Sequence, residues 1–277
     1  MRFGIDVAQH QLAWPELLRR VRFAEQAGFD GAWVFDHFKA LYGDRSGPCL
    51  EAWSLLGALS VTTERIRLGA LVTGVTHRHP SVLATQAVTV DVLSNGRLEL
   101  GIGAAWNEPE HRQLGIPFPR TRERAERLEE AIEVMRALMT KERATFRGKH
   151  YSLASASYRP RPVQRPHPPI WVGATGERLM LPIVARQADA WHGFGSVSEL
   201  RRKSALIDEL AKRAGREPKA VLRSASLSLS RPLDKIKREA EALSAAGFGY
   251  LIAEWPTEGW GKMEEFAAKV MPEIAAS

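Results

Sequence analysis

The chain has 277 residues, 44% apolar and 26% charged, which suits one large α/β domain with a substantial core and argues against extensive disorder. Its formal charge of +7 is diluted through mixed runs such as Arg122–Glu123–Arg124 and Glu126–Arg127, with no compact basic and aromatic motif, so nucleic acid is not an expected partner. The opening Met1–Asp6 is not signal-like, no stretch reaches the roughly eighteen apolar residues of a membrane span, and the single Cys49 has no partner for an internal disulfide; a cytoplasmic protein without membrane association is expected.

Strand one is expected over Arg2–Ala8, then a helix over Pro15–Ala27, where Leu17, Leu18, Val21, Ala24 and Ala27 form an apolar stripe and Gly28 a stop. Strand two, Gly31–Phe35, delivers Asp36 and His37 at its end, and Glu51–Val61 is the second helix. Strand three runs from Ile66 to Thr73; Pro80 opens a helix that ends near Asp91. Ser94–Asn95–Gly96 marks a turn before strand four, Arg97–Gly103, and a long helix follows over Arg120–Met139. The interval 141–169 holds Pro160, Pro162, Pro166, Pro168 and Pro169, too many for a helix interior. It reads as an excursion that either covers a pocket or supports an interface.

The rhythm resumes with strand five at Ile170–Ala174 and a helix from about Gly176. Strand six is expected at Ala188–His192, with a helix over Ser198–Ala214. Strand seven at Val221–Leu229 and its helix at Leu233–Ala246 follow. The last unit is Gly249–Ala253 with a terminal helix over Lys262–Val270. Eight strand–helix units favour an α/β fold of the closed (β/α)8 type, one domain over 1–277, whose strand ends converge on one mouth.

Those ends carry the chemistry-bearing residues. His37 has a side chain that titrates near neutrality and suits proton transfer. Asp36 suits three roles: orienting an imidazole, binding a cofactor, or closing a turn. Thr73–Gly74 offers a hydroxyl and a point of close approach, or a routine turn. His77, Arg78 and His79 form a cationic cluster that fits an anion or a loop brace; with no Cys or acidic ligand beside it, no metal site is expected.

Gly101–Ile102–Gly103–Ala104–Ala105–Trp106–Asn107 permits tight backbone approach and then presents an indole and an amide that can face a heterocycle. Glu108 and Glu110 are further acids, of the kind that more often support a loop. In Val172–Gly173–Ala174–Thr175–Gly176–Glu177 small residues can expose consecutive N–H groups to a phosphate, with Thr175 adding a hydroxyl. It lacks the lysine of a P-loop, and an ordinary strand-to-helix turn is the alternative.

In order and spacing these segments resemble the bacterial-luciferase-like flavin and deazaflavin oxidoreductase superfamily, most closely its subgroup using the deazaflavin coenzyme F420. The resemblance is carried by Ala24–Phe29, Asp36–His37, Leu71–Pro80, Leu93–Arg97, Gly101–Asn107 and Pro160–Pro166, nearly the length of the chain. It implies a luciferase-like TIM barrel with an inserted segment, a cofactor ring at the mouth, and hydride exchange with a small organic substrate on the apolar, Trp-lined side.

It further implies His37, with Asp36 and secondarily Glu108, as the catalytic group. Asp36, Leu71, Val72, Thr73 and Asn107 would lie against the ring, with a cis bond at Leu71–Val72. Gly173, Ala174, Thr175, Gly176 and Glu177 would hold the phosphate. Ala105 and Ala174 replace glycines common in the superfamily. A homodimer is implied, with a separate reductase supplying reduced cofactor. The alternatives are an FMN-dependent monooxygenase and a non-catalytic ligand-binding barrel.

Overall fold

A computed structural model describes residues 1–276. Eight parallel strands close on themselves in the order β3 (Arg67–Ala70), β2 (Gly31–Val34), β1 (Arg2–Asp6), β11 (Tyr250–Glu254), β10 (Leu222–Ser228), β9 (Ala190–Gly193), β8 (Ile170–Gly173) and β5 (Leu98–Gly103), with β5 pairing back onto β3. The two-residue β4 (Thr73–Gly74) continues the line of β3 beyond a cis Leu71–Val72 bond and pairs with Ile102 and Gly103. This is the expected (β/α)8 barrel.

Strands such as β2 and β8 read as near-continuous apolar runs because both faces are covered. Outward residues pack under the helix ring: α1 (Trp14–Gln26), α2 (Ala52–Thr62), α3 (Pro80–Leu93), α5 (Thr121–Thr140), α6 (Met180–Gln187), α7 (Val197–Arg213), α8 (Leu233–Ala245), α9 (Trp260–Glu265) and α10 (Met271–Ala276). Inside the barrel a second cluster of Trp33, Trp171, Ala190, Tyr250 and Ile252 fills the lower end. Trp33 donates to the Tyr250 hydroxyl at 3.3 Å, and Trp171 donates to the buried Glu99 carboxylate at 2.5 Å. Arg67 pairs with that same carboxylate.

At the upper end the glycines of β5 and β8 admit Val72 to the barrel axis. A Cβ on Gly103 would meet Val72 Cγ2 at 2.7 Å, one on Gly173 would meet it at 3.0 Å, and one on Gly101 would strike the Ala70 carbonyl at 1.9 Å. Close packing, more than turn formation, is what these glycines serve.

Two expectations need correction. The helix expected from Gly176 begins at Met180, so residues 174–179 form an open loop whose Gly176 carbonyl accepts from the N–H groups of Met180 and Leu181. The excursion over 141–169 does not cover the mouth. It forms a hairpin, β6 (Ala144–Arg147) and β7 (Ser152–Ala156), anchored to α5 by the Glu130 carboxylate, which accepts from the N–H groups of Lys149, His150 and Tyr151. Its proline run then passes beneath the floor, where Asp91 accepts from Val163, Gln164 N–H and Gln164 Nε2, and Gln164 also donates to the Leu98 carbonyl.

Candidate active site

The ends of β2, β4, β5, β8 and β9 surround one cavity of about 510 Å³, within the usual range for small-molecule sites. Its walls include Asp36, His37, Leu71, Val72, Thr73, Asn107, Gly173, Ala174, Thr175 and Gly176. Segments far apart in the chain thus meet at one mouth.

His37 is mostly buried and its Nδ1 donates to Glu110 Oε2 at 2.7 Å. The other oxygen of Glu110 accepts from the N–H groups of Phe38 and Lys39, at 2.8 and 3.2 Å. Burial alone would raise this carboxyl; the hydrogen bond and charge of His37, the Phe38 N–H and the charge of His77 outweigh it and hold Glu110 below the usual range. An ionised Glu110 fixes a proton on His37 Nδ1 and leaves Nε2 as the nitrogen available for exchange with the cavity.

Glu110 sits on α4 (Glu108–Leu114), a short helix absent from the expected elements. Asn107 is its N-cap, accepting from the Glu110 N–H at 3.3 Å, so its amide nitrogen remains for the cavity. Glu108 belongs to the opposite side. Two residues on a helix turn about 200°, and Glu108, with a side chain 57% exposed, pairs with Arg112 outside the cavity wall. The expected secondary acid is therefore not at the site, and its neighbour Glu110 is.

Asp36 is buried, but it does not touch His37. Both its oxygens accept from Arg78, at 2.5 and 3.1 Å, and His77 Nδ1 lies 3.3 Å away. Burial pushes the carboxyl up, yet the hydrogen bonds from His77 and Arg78 and the positive charge of Arg78 bring it down to about 2. Arg78 also reaches Glu51, the N-cap of α2, at 3.3 Å. Asp36 thus pins the β2 end to the loop before α3, and its contribution to the cavity is a fixed negative charge. Thr73 is buried too; its Oγ1 accepts from Trp53 Nε1 at 3.1 Å, which leaves its O–H to be donated.

On the β8 side, Thr175 and Gly176 are exposed to the cavity, while the Ala174 N–H is spent on the His192 carbonyl. Glu177 does not line the cavity. It forms a two-pronged pair with Arg202 on α7, at 2.6 and 2.9 Å, which braces the loop from outside.

Several lining residues were not singled out from the sequence: Tyr42, His111, Thr121, Arg124, Met180 and Phe194. Arg124, part of a mixed-charge run in the sequence, donates through Nε to the Ala104 carbonyl at 3.0 Å and lies over the Phe118 ring, which brings a cation beside the β5 and β8 ends. The Asn107–Glu108–Pro109–Glu110 run carries a helix-start signal, an Asn cap with proline in the first turn and an acid three residues on. That signal could have exposed α4, and with it the inward position of Glu110.

Ligand-type atoms of His77, Glu110 and His111 come within 4.8 Å of one another, a cluster not foreseen from the sequence. Its groups are already engaged. His111 Nε2 bonds Thr76 Oγ1 at 2.6 Å, its Nδ1 bonds the Asn107 carbonyl at 2.8 Å, and both Glu110 oxygens are taken. It reads as a hydrogen-bonded brace beneath His37.

The luciferase-like monooxygenase family description matches residues 1–271. The chain belongs to that family. An F420-dependent glucose-6-phosphate dehydrogenase of Microbacterium testaceum is 38% identical over 179 residues, 64% of this chain and 52% of that protein. The chain thus spans about half the length of that curated relative. Among solved structures, an F420-dependent secondary alcohol dehydrogenase in complex with an F420–acetone adduct superposes with a TM-score of 0.89 at 18% identity, covering 99% and 98% of the two chains. The EDTA monooxygenase of Chelativorans sp. BNC1 superposes at 0.82 with 14% identity, covering 100% and 93%. Likenesses this remote speak for the fold alone. No described helix is long and apolar enough to cross a membrane.

Proposed function

We propose that the protein is a coenzyme F420-dependent oxidoreductase that exchanges hydride with a small organic substrate. The observation that carries this is the union, in one cavity, of the Glu110-oriented His37 with an apolar Leu71–Val72 floor and the Ala174–Gly176 loop beside Arg124. A planar ring fits over the floor, with Thr73 O–H and Asn107 amide hydrogens to meet its heteroatoms. A charged tail fits the Thr175–Gly176 side, where Arg124 is the only arginine among the described residues of the cavity wall.

When bound, the deazaflavin supplies the two-electron chemistry. The chain's own contribution is to hold a proton at His37 Nε2, ready to be given or taken as the substrate changes oxidation state. Glu110 keeps the imidazole in one tautomer. The F420-dependent names among the curated relatives support deazaflavin over FMN.

Anaerobic titration with F420, with FMN and nicotinamide cofactors as controls, tests the reading. Tightest binding to F420 is expected, with substrate turnover that needs no oxygen; product formation only with reduced FMN and oxygen would replace it with the monooxygenase reading, and a bound ligand that never turns over would point to a binding barrel. A separate reductase remains the proposed source of reduced cofactor.

The partner proposed is a second copy of the chain. The outer faces of α2 and α3 carry no charge, and Val61, Val82, Val92 and Leu93 stand exposed on them. A helix pair apolar on its outside is better explained by burial against another surface than by solvent.

A further inference from the structure

Three large aromatic side chains stand open to solvent on the rim of the cavity: Tyr42 at 68%, Trp106 at 64% and Phe194 at 45% exposure. They come from different strand ends, beyond β2, β5 and β9. The Trp106 ring centroid lies 5.4 Å from that of His37, the group assigned to proton exchange. Exposed aromatic surface gathered at the mouth of a cavity is unfavourable in water, and an apolar ring laid against it releases that cost.

The charges point the same way. Apart from Arg124, the ionisable groups among the described wall residues are Asp36, three histidines and the Tyr42 phenol, which carries no positive charge. Asp36 is an ionised carboxylate, and a second one, Glu110, stands behind His37. His111 is pushed down by burial, so it adds no positive charge near neutral pH. Arg124 is anchored to the Ala104 carbonyl, on the strand end next to Gly173, and so belongs to the tail side. Arg78 is spent on Asp36 and Glu51. An anionic group beside His37 would therefore lose its hydration and meet no lysine or arginine among the described lining residues on that side, only imidazoles already paired through Nδ1 with the Glu110 and Asp36 carboxylates.

We propose that the substrate subsite beside His37 takes an uncharged, ring-bearing apolar compound and rejects sugar phosphates and carboxylates. This deepens the oxidoreductase reading and rests on it for the assignment of Arg124 and the loop to the cofactor. It sets this chain apart from the glucose-6-phosphate specificity in the names of its curated relatives.

The test compares acetophenone, its charged counterpart 4-acetylbenzoate, and glucose 6-phosphate. Binding is followed by tryptophan fluorescence, first in the free protein and then in the F420-loaded protein. Acetophenone is expected to bind at least about tenfold more tightly than 4-acetylbenzoate in both states, about the discrimination expected when a charge is desolvated without a partner. Glucose 6-phosphate is expected not to compete with it. Trp106→Ala should weaken acetophenone by about five- to tenfold, in line with the loss of one aromatic contact. Equal or tighter binding of either anion, or no acetophenone binding at millimolar concentration, overturns the proposal. F420 affinity is measured separately, so failure of the cofactor reading shows as absent F420 binding, whatever the ranking of the three probes in the free protein.

Discussion

The floor of the barrel and its mouth each bury a carboxylate against an arginine, and the two pairs behave oppositely. At the floor, Glu99 meets Arg67 and the Trp171 N–H inside the Trp33–Trp171–Tyr250 cluster; burial outweighs both partners and its carboxyl is pushed up. At the mouth, Asp36 receives two bonds from Arg78 and one from His77, and these outweigh burial to bring it down to about 2. The same ion pair is thus a plug where it is sealed by indoles and a permanent charge where several donors converge. Whether a buried acid keeps its charge depends on how many donors reach it, not on burial alone.

The mouth should be the more sensitive region for activity. His37→Ala is expected to lower kcat by about 10²- to 10⁴-fold, the range for a lost acid–base group, with a smaller change in F420 affinity. Equal losses in both would make His37 a binding residue. Glu110→Gln should lower kcat less and shift the pH–rate profile, because the imidazole loses the anion that fixes its tautomer; an unchanged profile would reduce Glu110 to a loop support.

Acid should act through a buried group between the two regions. His192 is wholly buried, bonded to Ser224 and Ser226, and pushed down to about 3 by burial. Its folded value lies below its unfolded value, so its contribution is present above about pH 6.5 and is lost as pH falls toward 3. That loss amounts to roughly 3–5 kcal/mol. His192→Asn should flatten the fall in Tm across that window if it folds as well as the parent at pH 8; an unaltered slope would assign acid lability elsewhere.

The carboxylate comparison itself is tested by paired amides. Asp36 is depressed, so its stabilisation is present above about pH 4 and lost as pH falls toward 2; Asp36→Asn should cost about 2 kcal/mol at neutral pH, read by denaturant unfolding. Glu99 is raised, so its contribution is present at low pH and lost as pH rises past its folded value. Glu99→Gln, which keeps an acceptor for Trp171, should be near neutral or stabilising at pH 7. If the floor substitution costs more than the mouth substitution, the contrast fails.

A smaller effect than at Asp36 is expected at the tail side of the mouth. Gly176→Val should weaken F420 by roughly tenfold, about 1.4 kcal/mol, while sparing a ring fragment that lacks the phosphate. No preference between the two ligands would remove the phosphate role from this loop.

Much of the fold was legible because strand and helix periods are local. Leu17, Val21 and Ala24 repeat at helical spacing and are buried as that spacing requires, and α3 opens at Pro80 as expected. The loop from Ala174 to Leu179 was misread because small residues suit both a helix start and an open turn. The excursion over 141–169 was correctly seen as irregular, but its path under the floor depends on Asp91, some seventy positions away. At the site, His37, Thr73, Asn107 and Gly173–Gly176 were chosen by their place at strand ends, which closure of the barrel turns into a shared cavity. Glu108 and Glu177 were chosen by the same rule and point outward, since proximity in sequence does not fix the direction of a side chain.

Alternation of apolar runs, turns and helical stripes by itself determined that eight units would form and which strand ends would carry polar groups. The tertiary structure alone decided which partner each polar group meets: Glu110 with His37, Arg78 with Asp36, Arg124 with the β5 end. The reason is physical. Burial and helical phase follow from near neighbours along the chain, whereas the charge a buried group keeps follows from donors brought by other segments, and their arrival is a property of the closed barrel.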